Sequence, residues 1–215
     1  MKFTGGSAFL WESQVGRFIV TAYHVWRELA SRMNQSPKKH RFLTYDLNGP
    51  ILIHLPTIVN ESEELDIAIF TAPGIKDFNP AGKAFLQTPS WPTAPAHPSE
   101  TIVGCGYPGA LRVFQNGRWE LQILFWAHQQ CSVSQTGKLM RLDGQSDKGK
   151  ITYSTKSKPK KIAFPGISGA PLFALRDTLD WVGIVRSGCG SPINGYSMLA
   201  TPSNFIGSDG RICKK

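Results

Sequence analysis

The chain has 215 residues, 41% of them hydrophobic, and a formal net charge of +9. That length and apolar content place it in the globular class, with enough core for one domain or two small halves sharing an interface. No apolar run approaches the roughly 20 residues needed to cross a bilayer, which excludes a spanning helix.

Glycine (21) and proline (15) are both frequent, which predicts many turns and a β-rich fold. The start, "MKFTGGSAFLWES", has one lysine, a short apolar stretch and an early glutamate, so it is not a secretory signal. A cytoplasmic location is expected. The abrupt tail "ICKK" leaves open a longer parent chain.

"SAFLWES" and "GRFIVTAYHVW" read as a hairpin. Val25, Leu29 and Met33 are spaced four apart, which predicts a short helix from Val25 to Met33, just after His24. "HRFLTYDL" and "PILIHLP" follow as a second hairpin around "DLNGP", whose Asn-Gly pair is a strong turn signal. "ELDIAIFTAPG" reads as the next strand. From Leu86 to Glu100 the chain carries Pro89, Pro92, Pro95 and Pro98, so this segment is a connector rather than a central strand. Strands resume in "TIVGCGYPG", "RWELQILFWAHQQ", "KITYST", "APLFAL", "DWVGIVRSG" and "GYSMLATP". The expected organisation is a β-rich half over 1–85, a proline-rich linker over 86–100, and a second β-rich half over 101–215.

Three residues stand out chemically. His24 ends an apolar strand where a helix begins; taken alone, a packed or surface histidine is the simpler reading. Asp66 is a single carboxylate among Leu65, Ile67, Ala68, Ile69 and Phe70. A carboxylate so placed is expected to be partly buried and to need a hydrogen-bond partner, for which an imidazole N–H would serve. Ser168 lies in "FPGISGAPLF" between glycines that let the backbone bend and expose a hydroxyl. A serine becomes a good nucleophile only with a base, and the base needs a group to fix its tautomer.

"TAYHV", "DIAIF" and "GISGAPLF", followed by "WVGIV", resemble the chymotrypsin/trypsin-like serine proteases in residue type and order, over nearly the whole chain. The resemblance implies an all-β fold of two antiparallel six-stranded β-barrels packed face to face, with short helices after His24 and near the C-terminus. It implies Ser168 as nucleophile, His24 as general base and acid, and Asp66 as the group that orients His24. The N–H groups of Gly166 and Ser168 would form the oxyanion hole, and Gly169 would leave room behind the nucleophile. Ile162, Ala163 and Phe164 would line the primary pocket, and Val185 to Gly188 its other wall, with Arg186, Ser187 and Gly188 touching substrate. Either Arg186 or, with a one-residue shift, Ser187 would stand where the family has a serine supporting the catalytic aspartate. With no acid at the pocket base and no histidine on the wall strand, an apolar residue before the scissile bond is expected.

Ile167 stands where secreted members carry an aspartate that pairs with a new N-terminus, so activation by N-terminal cleavage is not expected. "GGSAFLW", "HVW" and "GCGYPG" look most like bacterial cytosolic trypsin-like peptidase domains, some of them in antiphage defence systems where a sensor switches the protease on. Viral polyprotein-processing proteases of the same fold are the rival reading, and a non-catalytic protease-fold binding module is another. The implied partners are a protein or peptide substrate and an activating protein or sensor; no membrane and no nucleic acid are expected, and no cofactor or metal is implied.

The basic stretch from Lys138 to Lys161 has two readings, a solvated mobile loop or a docking surface for an acidic substrate or nucleic acid. Cys105, Cys131, Cys189 and Cys213 form no CxxC pair and no zinc-finger spacing, so free thiols are expected, with a Cys189–Cys213 disulfide as the alternative. His54 and His128 read as strand histidines, and Trp119, Trp126 and Trp181 as core or interface residues.

Overall fold

The computed structural model describes residues 5–35, 43–46, 49–52, 57–72, 85–88, 90–115, 118–121, 123–128, 132–144, 164–191 and 195–213. Strands dominate. β1 (Ala8–Glu12) and β2 (Arg17–Thr21) form the expected hairpin, with Phe9 opposite Val20 and Trp11 opposite Phe18. One α-helix, α1 (Tyr23–Gln35), follows. It starts before His24 rather than after it, so His24 lies in its first turn. The periodicity of Val25, Leu29 and Met33 marked the helix body but not its start, because the first turn is fixed from outside the helix, as described below. No described helix is long and apolar enough to cross a membrane.

β3 (Leu43–Asp46) and β4 (Gly49–Leu52) make the second expected hairpin, with Asp46 opposite Gly49. β5 (Ile58–Ser62) and β6 (Ile67–Thr71) join β2, and the first sheet runs β5-β6-β2-β1. Its fifth strand, β7 (Leu86–Gln87), lies in the proline-rich segment and pairs parallel with β1. Among the described residues the rest of that segment, with Pro92, Pro95 and Pro98, enters no ladder.

The second sheet has seven strands. β8 (Ile102–Gly106) is followed by a separate hairpin of β9 (Arg112–Gln115) and β10 (Arg118–Leu121), then by β11 (Leu124–His128), β12 (Ser132–Thr136) and β13 (Leu139–Gly144). β14 (Pro171–Leu175), β15 (Leu179–Ser191) and β16 (Gly195–Pro202) complete it in the order β11-β8-β14-β15-β16-β13-β12. "RWELQILFWAHQQ" is thus two strands rather than one, and "KITYST" lies outside the described residues. The strands fall in sheets of five and seven with two separate hairpins, not in two sets of six, because β3–β4 and β9–β10 pair only with each other among the described residues. The C-terminal helical element is a single 3₁₀ turn, Ser203–Phe205.

The basic stretch is only partly a loop. Lys138 sits in the β12–β13 turn and residues 139–144 form a strand paired to β16; 145–163 lie outside the described residues.

One apolar cluster fills the second sheet, around Leu124, Trp126, Met140, Leu172 and Val185. Another joins the two sheets: Trp11, Val20, Ile67 and Ile69 from the first pack with Phe173, Trp181, Ile184 and Phe205 from the second. Trp91, from the proline-rich segment, sits between them. Its ring lies 4.9 Å from that of Trp11 and 5.0 Å from that of Trp181, and its indole N–H donates to the Ile206 carbonyl at 2.8 Å. The segment is also pinned by Arg176, whose guanidinium grips Glu100 through two bonds of 2.8 and 3.1 Å and donates to the Pro95 carbonyl at 2.8 Å. That paired geometry holds the Glu100 carboxyl below its ordinary range.

Candidate active site

Asp66 closes the four-residue turn between β5 and β6, with its N–H donating to the Glu63 carbonyl at 3.1 Å. Its φ is +53°, a left-handed conformation that aspartate tolerates better than most side chains. The residue is 8% exposed, as its apolar neighbours predict, and this depth obliges its oxygens to find donors.

They find three contacts on His24. The backbone N–H of His24 donates to Asp66 Oδ1 at 2.9 Å, and ring Nδ1 lies 3.0 Å from Oδ1 and 2.8 Å from Oδ2. The first contact explains where α1 begins. Ala22 accepts the first intrahelical bond, from Trp26, and so is the N-cap, yet it has no side-chain acceptor. Asp66 supplies one from across the fold, and the helix N-terminus favours its negative charge. The ring contacts fix the tautomer. An ionised carboxylate only accepts, so Nδ1 carries the proton and Nε2 keeps its lone pair when the ring is neutral.

His24 is half exposed, and its pKa is raised. The hydrogen bond to Asp66 is the main cause; partial burial opposes it, the charges of Asp66 and Glu28 add to it, and that of Arg186 opposes it.

Ser168 lies on two consecutive turns. In Phe164–Ile167 the Ile167 N–H returns to the Phe164 carbonyl at 3.1 Å, with Pro165 second and Gly166 third at φ +92°. In Ile167–Ala170 the Ala170 N–H returns to the Ile167 carbonyl at 2.8 Å, with Gly169 third at φ +87°. A positive φ at the third position is the requirement of a type II turn, which is why the two glycines stand where they do. Gly109 N–H holds the Pro165 carbonyl at 2.8 Å, and across the planar peptide the Gly166 N–H points the opposite way.

A clamp that the sequence reading missed ties this loop to the first sheet. Ser7 N–H donates to the Ser168 carbonyl at 2.7 Å, Ser7 Oγ accepts from Tyr107 N–H at 3.0 Å, and the Thr21 hydroxyl donates to the Ser7 carbonyl at 2.7 Å. A side chain on Gly169 would stand 2.0 Å from the Ser7 carbonyl oxygen, so only glycine lets the strands meet. "GGS" ahead of the first strand was the available signal.

His24, Asp66 and Ser168 line one open cleft of about 450 Å³, with Leu139, Arg186, Ser187 and Leu199. The Ser168 hydroxyl does not donate to His24; it donates to the Arg186 carbonyl at 2.9 Å. The cleft therefore holds a carboxylate, a tautomer-fixed imidazole and a hydroxyl, with the hydroxyl–imidazole link unmade.

Of the expected pocket residues, Ile162 and Ala163 lie outside the described residues. Phe164 is 1% exposed and packs edge-on to Trp126 at 5.2 Å, so its side chain belongs to the core rather than to the cleft. Gly188 is not among the cleft-lining residues, and Ser187 is. Arg186, not Ser187, stands beside the aspartate, with Nε 4.0 Å from Asp66 Oδ2. A β-bulge puts it there: Val185 pairs with Ala200 and Ser187 with the very next partner, Leu199, leaving Arg186 as the extra residue. Leu139 and Leu199 as cleft walls had no sequence signal. Among the described residues no three His, Cys, Asp or Glu side chains gather as a metal site. Cys105, Cys189 and Cys213 are free, so the Cys189–Cys213 disulfide is not formed.

No family model and no curated protein matches this chain. Solved structures similar to it include one from work on the coupled folding and binding of the intrinsically disordered Sesbania mosaic virus VPg protein, at 14% identity and a TM-score of 0.46, covering 90% of this chain and 78% of that one. The crystal structure of Deg5 is similar at 17% identity and a TM-score of 0.45, covering 94% and 79%. The serine protease domain of the Sesbania mosaic virus polyprotein is similar at 16% identity and a TM-score of 0.43, covering 93% and 88%.

Proposed function

We propose that the protein is a serine endopeptidase of the chymotrypsin-like fold, with Ser168 as nucleophile, His24 as base and Asp66 as its orienting carboxylate. The observation that carries this reading is the doubly bonded Asp66–His24 pair sharing one cleft with the glycine-flanked Ser168 hydroxyl. In this reading the two sheets belong to two barrels, over 1–85 and 101–215, the first completed by β7 from the linker, with the cleft between them.

The reaction follows from the groups. Ser168 Oγ attacks the scissile carbonyl carbon as its proton passes to His24 Nε2. The carbonyl electron pair moves onto oxygen, where the N–H groups of Gly166 and Ser168 stabilise it. Collapse breaks the C–N bond, His24 gives its proton to the leaving amine, and an acyl-serine remains. Water, deprotonated by His24, attacks that ester; its collapse returns the proton to Ser168 and releases the acid. Before the first step the Ser168 hydroxyl must leave the Arg186 carbonyl and turn to His24.

On sequence resemblance alone, the setting proposed is the bacterial cytosol, with a protein substrate, an activating sensor and a role in antiphage defence; viral polyprotein processing is the rival. The bond from Ser168 to the Arg186 carbonyl favours a second reading, a protease-fold module that binds without cleaving. A fluorophosphonate probe decides between them. Covalent labelling of Ser168, located by mass spectrometry and lost in Ser168→Ala and His24→Ala, is expected of the enzyme. Absence of labelling with retained peptide binding identifies the module.

A further inference from the structure

The Arg186 guanidinium lies in the cleft with its donors unspent among the described residues. The side chain is 28% exposed, so most of it is out of water. Its nearest anion among the described residues is Asp66, whose Oδ2 is 4.0 Å from Nε, beyond hydrogen-bond range. Asp66 is already committed, since both its oxygens face the His24 ring and Oδ1 also takes the His24 N–H. Arg186 makes no side-chain hydrogen bond among the described residues. A largely covered cation with unused donors is costly, and the cost falls when a carboxylate meets its planar fork with two parallel bonds. The apolar walls at Leu139 and Leu199 strengthen such a pair by excluding water. Ser187, also in the cleft and without a side-chain hydrogen bond among the described residues, offers a further donor.

We infer that Arg186 is a specificity residue that takes an acidic side chain of the substrate close to the scissile bond; this rests on the endopeptidase reading. Its own carbonyl is 2.9 Å from Ser168 Oγ, so the guanidinium is tethered beside the nucleophile. At about 3.3–3.6 Å of extended chain per residue, the side chain it grips belongs within about two residues of the bond. Arg186 belongs to the strand expected to form the other wall of the primary pocket, but its guanidinium is turned toward Asp66, so an acidic preference here is compatible with an apolar residue immediately before the bond.

The test uses matched degenerate hexapeptide pools with Asp, Glu, Asn, Gln or Lys fixed at each position in turn. Binding is measured on the Ser168→Ala protein by anisotropy, and kcat/KM on the unsubstituted enzyme. At one position the acidic pools are expected to exceed their amide isosteres by about tenfold in both readouts. Arg186→Met brings that ratio to about one, and Arg186→Glu turns it toward Lys. Arg186→Lys keeps a charge but loses the fork, and gives an intermediate ratio. Equal binding and cleavage of Asp and Asn pools by the Arg186 protein overturns the inference, whether or not any variant folds. So does a ratio that survives Arg186→Met. Cleavage without charge discrimination sinks this inference alone. Discrimination in binding without cleavage or labelling sinks the endopeptidase reading and leaves the recognition standing.

Discussion

The proton on His24 Nδ1 is held by a buried carboxylate, and this sets the direction of the pH dependence that the proposed peptidase should show. Asp66 stabilises the charged imidazole, so its pKa lies above the ordinary value of about 6.5. In the proposed mechanism the neutral ring is the base, and kcat/KM should therefore rise with pH through a midpoint above 6.5 wherever chemistry is rate-limiting. Stability runs the other way. The stabilising share of charged His24 is fully present below the unfolded pKa of about 6.5 and is lost as pH climbs through the raised folded value. Ring NMR should give the same midpoint as the rate profile; a midpoint at or below 6.5 contradicts the arrangement. Asp66→Asn should lower that midpoint and cut turnover by roughly 10⁴, as in a known Ser-His-Asp enzyme. Glu28→Gln should lower it slightly and Arg186→Met should raise it, following the signs of their charges. The thiols make a second prediction. Burial pushes Cys105 up to about 11, whereas Cys189 and Cys213 are exposed. Iodoacetamide at pH 8 should modify Cys189 and Cys213 in the folded protein and Cys105 only on unfolding, read by peptide mapping.

Between elements, the position of the Ser168 hydroxyl depends on the close approach of β1's leading residues to the Ser168 loop. Gly169→Ala would combine a left-handed φ with a methyl against the Ser7 and Ala22 backbones, neither of which can yield as a side chain would. It should cost more than about 3 kcal/mol in urea unfolding. Thr21→Val keeps shape but leaves the buried Ser7 carbonyl without its hydroxyl donor. A loss of about 1–3 kcal/mol is expected. Wild-type stability in either variant would remove the clamp from the account. Element by element, the sequence was informative where the signal was local. The hairpins at Ala8–Thr21 and Leu43–Leu52 followed from alternating apolar runs and turn residues, and the glycines around Ser168 followed from the turns they permit. The start of α1 was not legible, because Asp66, not the N-cap, fixes it. The placement of Arg186 was not legible either, since a bulge is a mismatch between β15 and β16 and is invisible in one strand's text. Phe164 read as a pocket residue because the family position says so, yet Trp126, far away in sequence, claims its ring for the core.

Taken as a whole, the molecule divides the proposed catalytic groups between its sheets: His24 and Asp66 attach to the first, and Ser168 and Arg186 to the second. The site therefore exists only while the sheets are docked, and docking rests on the shared apolar cluster and on Trp91. Trp91→Ala removes a ring packed on both Trp11 and Trp181 and the bond to Ile206, and should cost about 3 kcal/mol. In a urea titration of this variant, peptide turnover should be lost at lower denaturant than far-UV dichroism; coincident loss would mean the sheets do not separate first. The same three indoles have an optical consequence. Trp11, Trp91 and Trp181 come from the first sheet, the linker and the second sheet, with ring centres 4.9, 5.0 and 5.3 Å apart. Chromophores that close and that rigidly skewed share their excited states, so their ultraviolet bands split into a paired positive and negative signal in circular dichroism. The protein thus carries an unlabelled gauge of its own assembly, one that can be followed in a cuvette before any substrate is known.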